Sequence, residues 1–184
     1  KAIENKTIIS VNDFGSGSKV FNSTRRKVGA IAKVAGMTKK KSRLLLAVIH
    51  YFNRGKILEL GTSVGMGTAT MSLGNPQGTV KTLEGCTNTA FQAKQLFEYF
   101  QLQNIQVIEG QFEQLLAPTL ETEEFDLIYF DGNHQKKATL HYFELCLQRA
   151  NQNSIFIFDD IHWSAEMEEA WEEIKKHPKV TLTI

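Results

Sequence analysis

The chain has 184 residues, with 21 basic and 20 acidic side chains and a formal net charge of +1. Its content of 42% hydrophobic and 22% charged residues is ordinary for a globular protein and excludes disordered, collagen-like and disulfide-rich chains. No apolar run approaches the roughly 18 residues of a membrane helix, and we recognise no secretory signal. The two cysteines, Cys86 and Cys146, lack metal-binding spacing, so we expect a cytoplasmic protein.

Charge is distributed unevenly along the sequence. Residues 1–56 contain 13 Lys and Arg against 2 acidic residues, a balance of +11, whereas residues 57–184 contain 8 against 18, a balance of −10. This split is typical of a basic arm for an anionic partner such as nucleic acid, a phosphorylated substrate or a membrane surface. No aromatic residues interrupt the basic run Lys39–Arg43, which favours a basic segment that packs on an acidic core or a second subunit.

The N-terminal part is predicted to be a loop followed by two helices. Residues 1–24 show no helical periodicity and contain the run Gly15–Ser18, so we expect a loop with one short strand. One helix is predicted over 25–35 and a second over 39–53, with Thr38 as its N-cap. The apolar face of the second helix comprises Leu44, Leu45, Val48, Ile49 and Phe52.

From Lys56 onward, short apolar runs alternate with amphipathic segments. This alternation predicts an α/β fold, a Rossmann-like doubly wound and mostly parallel sheet between two layers of helices. The predicted strands are 56–60, 79–83, 105–108, 125–130 and 154–158, with 180–184 as a sixth. The helical stripes are Ala93, Leu96, Phe97 and Phe100; Leu140, Phe143, Leu147 and Ala150; and Met167, Ala170, Trp171 and Ile174, the last in a helix capped by Ser164 and ended by Pro178.

A glycine turn follows the first strand of this sheet. The segment Glu59–Gly67 contains glycines that let the backbone turn sharply and approach a ligand. Its spacing is not G-x-G-x-x-G, which argues against a dinucleotide, and the preceding acid suits a cationic amino group. Glu84, at the end of the second strand, is placed to accept both hydrogen bonds of a ribose diol. Gln111 and Phe112, after the third strand, could border an adenine.

Acidic residues and histidines follow the fourth and fifth strands. Because these strands are neighbours in the expected order, we expect Asp131, Asp159 and Asp160 to converge. Converging carboxylates repel unless they are protonated or bridged by a cation, and oxygen ligands favour Mg²⁺, Ca²⁺ or Mn²⁺. The alternative is that one aspartate caps a helix and another faces solvent. His134 and His162 flank the same point, where a histidine could take a proton from a hydroxyl.

With these motifs the chain resembles the class I S-adenosylmethionine-dependent methyltransferases, and among them the O-methyltransferases of the catechol and caffeoyl-CoA type. The resemblance extends over residues 25–184 and rests on Leu58–Gly65, Glu84, Asp131 and Asp159–Asp160. It implies a cofactor site of Glu59, Gly61, Thr62, Ser63 and Gly65 near the methionine part, Glu84 at the ribose, and Gln111 and Phe112 at the adenine. It also implies that Asp131 bridges cofactor and metal, with Asp159 and Asp160 as the other metal ligands.

The chain departs from the family pattern in three ways. Catechol-type enzymes have a lysine base three residues after the first metal aspartate, where this chain has His134, so His134, His162 and Asp131 are the candidate catalytic residues. The third metal ligand is usually asparagine, whereas this chain has Asp160. The family's antiparallel seventh strand does not follow residues 180–184, so either the chain is shortened or an edge is left for a partner to cover.

The resemblance implies a basic N-terminal part, 1–55, that covers the active site, and a cofactor-binding core, 56–184. We expect methyl transfer from S-adenosylmethionine to a hydroxyl of a small, anionic molecule, with or without Mg²⁺ or Ca²⁺, in a homodimer. An RNA methyltransferase that uses the basic segment is one alternative. A methyltransferase-like binding protein without catalysis is another. A nicotinamide-dependent dehydrogenase is disfavoured by the glycine spacing.

Overall fold

Two short strands and two helices form the N-terminal part of the computed structural model, which describes residues 1–184. Strands β1 and β2 pair antiparallel, which brings residues 8–10 beside residues 25–27. Thr38 caps the second helix, because its hydroxyl accepts a hydrogen bond from the backbone N–H of Lys41, as predicted. The elements are β1 (Ile8–Ser10), β2 (Arg25–Lys27), α1 (Val28–Val34) and α2 (Lys39–Tyr51).

A five-stranded parallel sheet forms the core and confirms the predicted fold class. Its strand order is β5-β4-β3-β6-β7, so the order reverses between β3 and β6. In such sheets ligands bind at the carboxyl ends of the strands, at that reversal. The strands are β3 (Lys56–Leu60), β4 (Thr79–Glu84), β5 (Ile105–Glu109), β6 (Leu127–Phe130) and β7 (Ile155–Phe158). The helices are α3 (Met66–Gly74), α4 (Thr87–Tyr99), α5 (Phe112–Thr122), α6 (Lys136–Leu147) and α7 (Ala165–Lys175).

Alternation along β3 divides the core between the two faces of the sheet. Ile57 packs in a cluster with Leu45 and Ile49 of α2 and Met71 of α3. Leu58 and Leu60 point the other way, as successive strand residues do, into a larger cluster. That second cluster also contains Leu83, Leu116, Leu120, Phe125, Ile128, Phe130, Tyr142 and Cys146. The sheet is therefore covered by helices on both faces.

Several predicted apolar positions are wrong in detail. The first helix begins at Val28, because residues 25–27 pair with β1 instead. Leu44 is 66% exposed, since it lies about 100° around the helix from Leu45, which faces the sheet. Phe52 and Phe100 are also exposed, because each lies just beyond the last turn of its helix. The buried face of α6 is Thr139, Tyr142, Phe143 and Cys146, so only Phe143 of the predicted stripe is fully buried.

The sixth strand predicted over 180–184 does not form. The backbone N–H of Val180 donates to the carbonyl of His177, so the chain turns after Pro178 instead of running beside another strand. The helix before this turn follows the prediction, because the Ser164 hydroxyl accepts a hydrogen bond from Met167 N at its start. None of the helices combines the length and the apolar character needed to cross a membrane.

Candidate active site

A cavity of about 260 Å³ lies where the carboxyl ends of β3 and β6 meet. This volume is just below the roughly 300–1,000 Å³ of most small-molecule sites. Strand-end residues line one side, and the N-terminal segment 11–21 lines much of the other. The predicted residues that line it are Gly61, Ser63, Glu84, Gln111, Phe112, Asp131, His134 and Asp160. We call Gly61, Ser63 and Glu84 the Glu84 end, and Asp131, His134 and Asp160 the His134 end.

Gly61 lets two strand ends approach each other in this cavity. Its φ is +109°, a backbone conformation that side chains disfavour. A Cβ atom at this position would lie 2.1 Å from the carbonyl oxygen of Asp131. Because position 61 has no side chain, the backbone of Asp131 can lie directly against the cofactor loop predicted from the sequence.

Glu84 is held at the cavity wall by three hydrogen bonds. One carboxylate oxygen accepts from Ser63 N at 2.7 Å. The other accepts from Cys86 N at 2.8 Å and from Thr89 Oγ1 at 3.0 Å. Burial raises the pKa of Glu84 despite these bonds. An ionised carboxylate has about four acceptor positions, so Glu84 keeps accepting capacity for a ligand in the cavity.

Glu59 lies behind the cavity wall and does not line the cavity. It is 1% exposed, and its Oε2 accepts hydrogen bonds from Thr68 Oγ1 at 2.5 Å and from Thr82 Oγ1 at 2.6 Å. Burial raises its pKa to about 7, although both hydroxyl hydrogen bonds oppose that shift. Here Glu59 links β3 to β4 and α3.

Two further residues of the predicted cofactor loop also face away from the cavity. Thr62 is buried, with its hydroxyl 2.5 Å from that of Thr82. Gly65 precedes α3 with a φ of +84° and lies against the ring of Phe97. These residues shape the turn, whereas Ser63, between them, reaches Glu84 through its backbone N–H.

Gln111 and Phe112 enter the cavity from the start of α5. Gln111 is the N-cap residue of that helix but makes no side-chain capping bond. The ring of Phe112 meets Tyr142 edge-on, with ring centroids 5.8 Å apart. Tyr142 in turn donates a hydrogen bond to Glu113, which holds the Tyr142 ring against Phe112.

Asp131, His134 and Asp160 come together at the His134 end. One potential ligand atom from each lies within 4.8 Å of the others, a spacing at which a cation could be held. Burial raises the pKa of Asp131 well above its usual value, with further increases from the carboxylates of Asp159 and Glu59. Burial lowers the pKa of His134 from 6.5, which outweighs the opposite effect of the carboxylates. His134 is therefore neutral near pH 7.

Asp159 does not join this cluster, because its oxygens are already bonded. Lys41 donates to Oδ1, the backbone N–H of Asp160 donates to the same atom at 2.8 Å, and Tyr129 donates to Oδ2 at 2.8 Å. Burial would raise the pKa of Asp159, but the bonds from Lys41 and Tyr129 outweigh it and lower the pKa. Lys41 was not predicted as a site residue, although this lysine lies four residues before the buried Leu45 on the inner face of α2.

His162 lies away from the cavity. Its side chain is 78% exposed, and its Nδ1 is 2.9 Å from Glu168 on α7. The next residue, Trp163, lines the cavity and stacks on His134, with ring centroids 5.3 Å apart. Of the two predicted histidines, only His134 faces the cavity.

The segment 11–21 lines one side of the cavity. It lies within the loop predicted over 1–24 and within the N-terminal part that the resemblance implies as a cover of the active site. Ser16 N donates to the carbonyl of Asn133 at 2.8 Å. A Cβ at Gly15 would lie 2.5 Å from the same oxygen, so glycine permits this close approach. Lys19 donates to the Trp163 carbonyl and lies over its ring, 4.6 Å from the centroid. These contacts join the N-terminal part to the loops after β6 and β7.

Comparisons with known proteins identify the domain family and the fold. A family model described as a methyltransferase domain matches residues 58–161, more than half of the chain. No match was found among curated proteins. Many solved structures share the fold.

An O-methyltransferase from Bacillus cereus in complex with SAH is 23% identical, with a TM-score of 0.70 over 81% of this chain and 76% of that one. The O-methyltransferase TomG from Streptomyces achromogenes, in complex with SAM, is 19% identical, with a TM-score of 0.67 over 79% and 70%. A SAH-bound methyltransferase from Podospora anserina is 18% identical, with a TM-score of 0.68 over 78% and 72%. The chain therefore belongs to the methyltransferase domain family and shares the fold of these SAM- and SAH-bound structures.

Proposed function

We propose that the chain transfers a methyl group from S-adenosylmethionine to a hydroxyl oxygen of a small molecule. The observation that carries this proposal is that one cavity joins Glu84, which has free accepting capacity, to the neutral imidazole of His134. A carboxylate can accept hydrogen bonds from a ribose diol, and a neutral imidazole can accept the proton of a hydroxyl. The SAM and SAH complexes of the similar structures support the choice of cofactor.

The residues present fit this cofactor. Glu84 would hold the ribose, Gln111 and Phe112 would border the adenine, and Gly61 and Ser63 would follow the methionine part. Gly61 leaves backbone accessible at the cavity, since it carries no side chain. Glu59, Thr62 and Gly65 would not contact the cofactor. They would stabilise the turn that contains Ser63.

In the proposed reaction the chain mainly aligns its reactants. When bound, the cofactor supplies an activated methyl group on a sulfonium. His134 would accept the proton of the acceptor hydroxyl at an imidazole nitrogen as that oxygen takes the methyl group, and Glu84, Gly61 and Ser63 would hold the methyl donor and the sulfide left after transfer. Trp163 stacks on the ring of His134, and the segment 11–21 lines one side of the cavity. Alignment and electrostatic stabilisation account for most of the rate in such displacements.

The divalent cation predicted from the sequence does not fit its predicted ligands. Asp131, Asp159 and Asp160 do not present three free carboxylates, because Asp159 is bonded to Lys41, Tyr129 and the backbone of Asp160. We therefore assign proton removal to His134 and no step to an ion.

An anionic acceptor is the substrate class that the cavity favours. Arg26 lines the cavity and lies over the ring of Phe21 at 5.0 Å, and its Nε donates to the carbonyl of Ser23. It forms no ion pair with a carboxylate of the chain, so its charge is available to a ligand. Lys19, near Trp163, adds a second positive charge to the same cover.

Calorimetric titration of S-adenosylhomocysteine, followed by methyl transfer to a panel of hydroxyl acceptors, tests the proposal. We expect micromolar binding in the presence of EDTA, and turnover that is higher for carboxylated or phosphorylated acceptors than for their neutral analogues. Arg26→Gln should remove that preference, while the exposed Arg25→Gln serves as its matched control. Absence of cofactor binding would contradict the proposal, and binding without turnover on any acceptor would favour a non-catalytic binding protein.

A further inference from the structure

We infer that Lys41 takes the place of a divalent cation in this site, so that the acidic cluster is balanced by a side chain of the chain itself. This inference deepens the proposed function and rests on it only for the identity of the site.

Lys41 is bonded to the carboxylate that the family resemblance assigns to a metal. Its ammonium donates to Asp159 Oδ1 and lies 4.0 Å from Asp160 Oδ1. One cationic group thus faces both aspartates that follow β7. An ammonium has three donors and a full positive charge, so it satisfies and neutralises a carboxylate as a metal ligand bond would.

The remaining contacts hold Asp159 in this orientation. Tyr129, on β6, donates to Oδ2, and the backbone N–H of Asp160 donates to Oδ1. Asp159 therefore accepts three hydrogen bonds, whereas the carboxylate of Asp131 accepts none from the chain. To ligate a metal, Asp159 would have to break its bond to Lys41 and leave that charge beside the ion. Like charges so close together oppose binding of a second cation.

The fold places the backbone of Lys41 beside Asp159, although the lysine side chain itself is 49% exposed. It lies in the first turn of α2, one turn before Leu45, which is 4% exposed in the core. The capping hydroxyl of Thr38 accepts from the backbone of Lys41, so the backbone that carries the ammonium is fixed as well. Neighbouring Lys40 is exposed and forms no ion pair, which makes it a matched control.

The test is equilibrium binding of Mn²⁺, followed by its electron paramagnetic resonance signal, to the parent chain and to Lys41→Met. We expect no saturable binding by the parent below millimolar Mn²⁺ and at least tenfold tighter binding by Lys41→Met. Lys40→Met should behave like the parent. Adding Asp159→Asn to Lys41→Met should abolish the gain, because the freed carboxylate is then lost.

Two results would overturn the inference. One is micromolar Mn²⁺ binding by the parent chain, which would mean that Asp131, His134 and Asp160 hold an ion despite Lys41. The other is a folded Lys41→Met chain that gains no Mn²⁺ affinity. Lys41→Gln serves as the second variant if Lys41→Met does not fold, and the titration of the parent stands in either case. Titration of S-adenosylhomocysteine into the same samples separates these results from a failure of the proposed function.

Discussion

At the Glu84 end of the cavity, Ser63 and Glu84 are hydrogen-bonded across 21 residues of sequence, whereas beside the His134 end Lys41 is bonded to Asp159 across 118 residues. The Glu84 end is formed by two adjacent strands and the turns that follow them. The region around the His134 end also depends on the segment 11–21 and on α2, which come from the N-terminal part. Local sequence therefore specifies the first region, and tertiary packing specifies the second.

This difference has a functional counterpart. Within one fold, proteins that use the same cofactor can bind it through the same local turn. Proteins that use different acceptors need different residues around the acceptor, and those residues commonly lie on loops. In this chain Arg26 and Trp163 line the cavity outside the glycine turn, and Lys19 lies over the ring of Trp163. Substitutions at the Glu84 end should thus change cofactor affinity, and substitutions at the His134 end should change the rate.

The largest expected effect is at the His134 end. His134→Gln should lower the rate of methyl transfer about 10²- to 10⁴-fold, because general-base catalysis contributes that much, while S-adenosylhomocysteine affinity stays within threefold. Since the pKa of His134 lies below 6.5, activity of the parent should fall only as the pH drops below that value. Steady-state kinetics and calorimetry measure both. An equal loss in His162→Gln, whose side chain is exposed, would contradict the assignment of the base.

Gly61→Ala tests the point where the two ends meet. A Cβ there would lie 2.1 Å from Asp131 O at a φ of +109°, so we expect a loss of more than about 3 kcal/mol in the free energy of unfolding. Gly17→Ala is the matched control, because its φ is +77° but no atom lies within 4 Å of the added Cβ. Chemical denaturation compares the two. Similar losses would show that backbone strain, and not contact with Asp131, sets the cost.

Glu84→Ala should weaken S-adenosylhomocysteine binding about 10- to 100-fold, because the one acceptor position left free on this carboxylate can take a single hydrogen bond, and a hydrogen bond to a charged group contributes about 1.5–3 kcal/mol. Calorimetry measures this change. Glu109→Ala removes another strand-end acid, one that pairs with Lys94 and does not line the cavity. Unchanged affinity in Glu84→Ala, or an equal loss in Glu109→Ala, would contradict the role of Glu84 at the ribose.

Much of the fold was predictable, because apolar runs and strand-end glycines are local signals. The five parallel strands and the caps at Thr38 and Ser164 follow from short stretches of sequence. The sixth strand was wrong because a strand exists only if another strand pairs with it, which residues 180–184 cannot reveal by themselves.

The site was predictable to a smaller extent. The order of the strands placed Glu84 and Asp131 on one edge of the sheet, but it could not show which way each side chain faces. Glu59 is bonded to Thr68 of α3, 9 residues further along the chain, and Asp159 is bonded to Lys41 of α2, 118 residues away. Those partners are visible only once the helices pack on the sheet.

Glu59→Gln tests whether the buried carboxyl behind the Glu84 end binds a proton in the folded chain. The folded chain raises the pKa of Glu59 from 4.5 to about 7, so it binds the proton more tightly than the unfolded chain. Stability of the parent should therefore fall as the pH rises between these values. The neutral variant does not undergo this loss and should gain about 3 kcal/mol relative to the parent above pH 7, and little below pH 4.5. Denaturation across that range measures the gain, and a pH-independent difference would contradict it.

The smallest expected effect concerns the cover of the His134 end. Lys19 holds the segment 11–21 through the carbonyl and ring of Trp163. An exposed cation–π contact is weak, so Lys19→Ala should increase the equilibrium constant for local opening of this segment only about two- to fivefold. Hydrogen exchange of the Ser16 amide, which bonds to Asn133, reports that opening. Lys6→Ala removes an exposed lysine that forms no ion pair and should leave the exchange unchanged. If both variants exchange at the parental rate, the cover is held by the backbone bond at Ser16 and by Gly15, and the side chain of Lys19 is free to contact the acceptor.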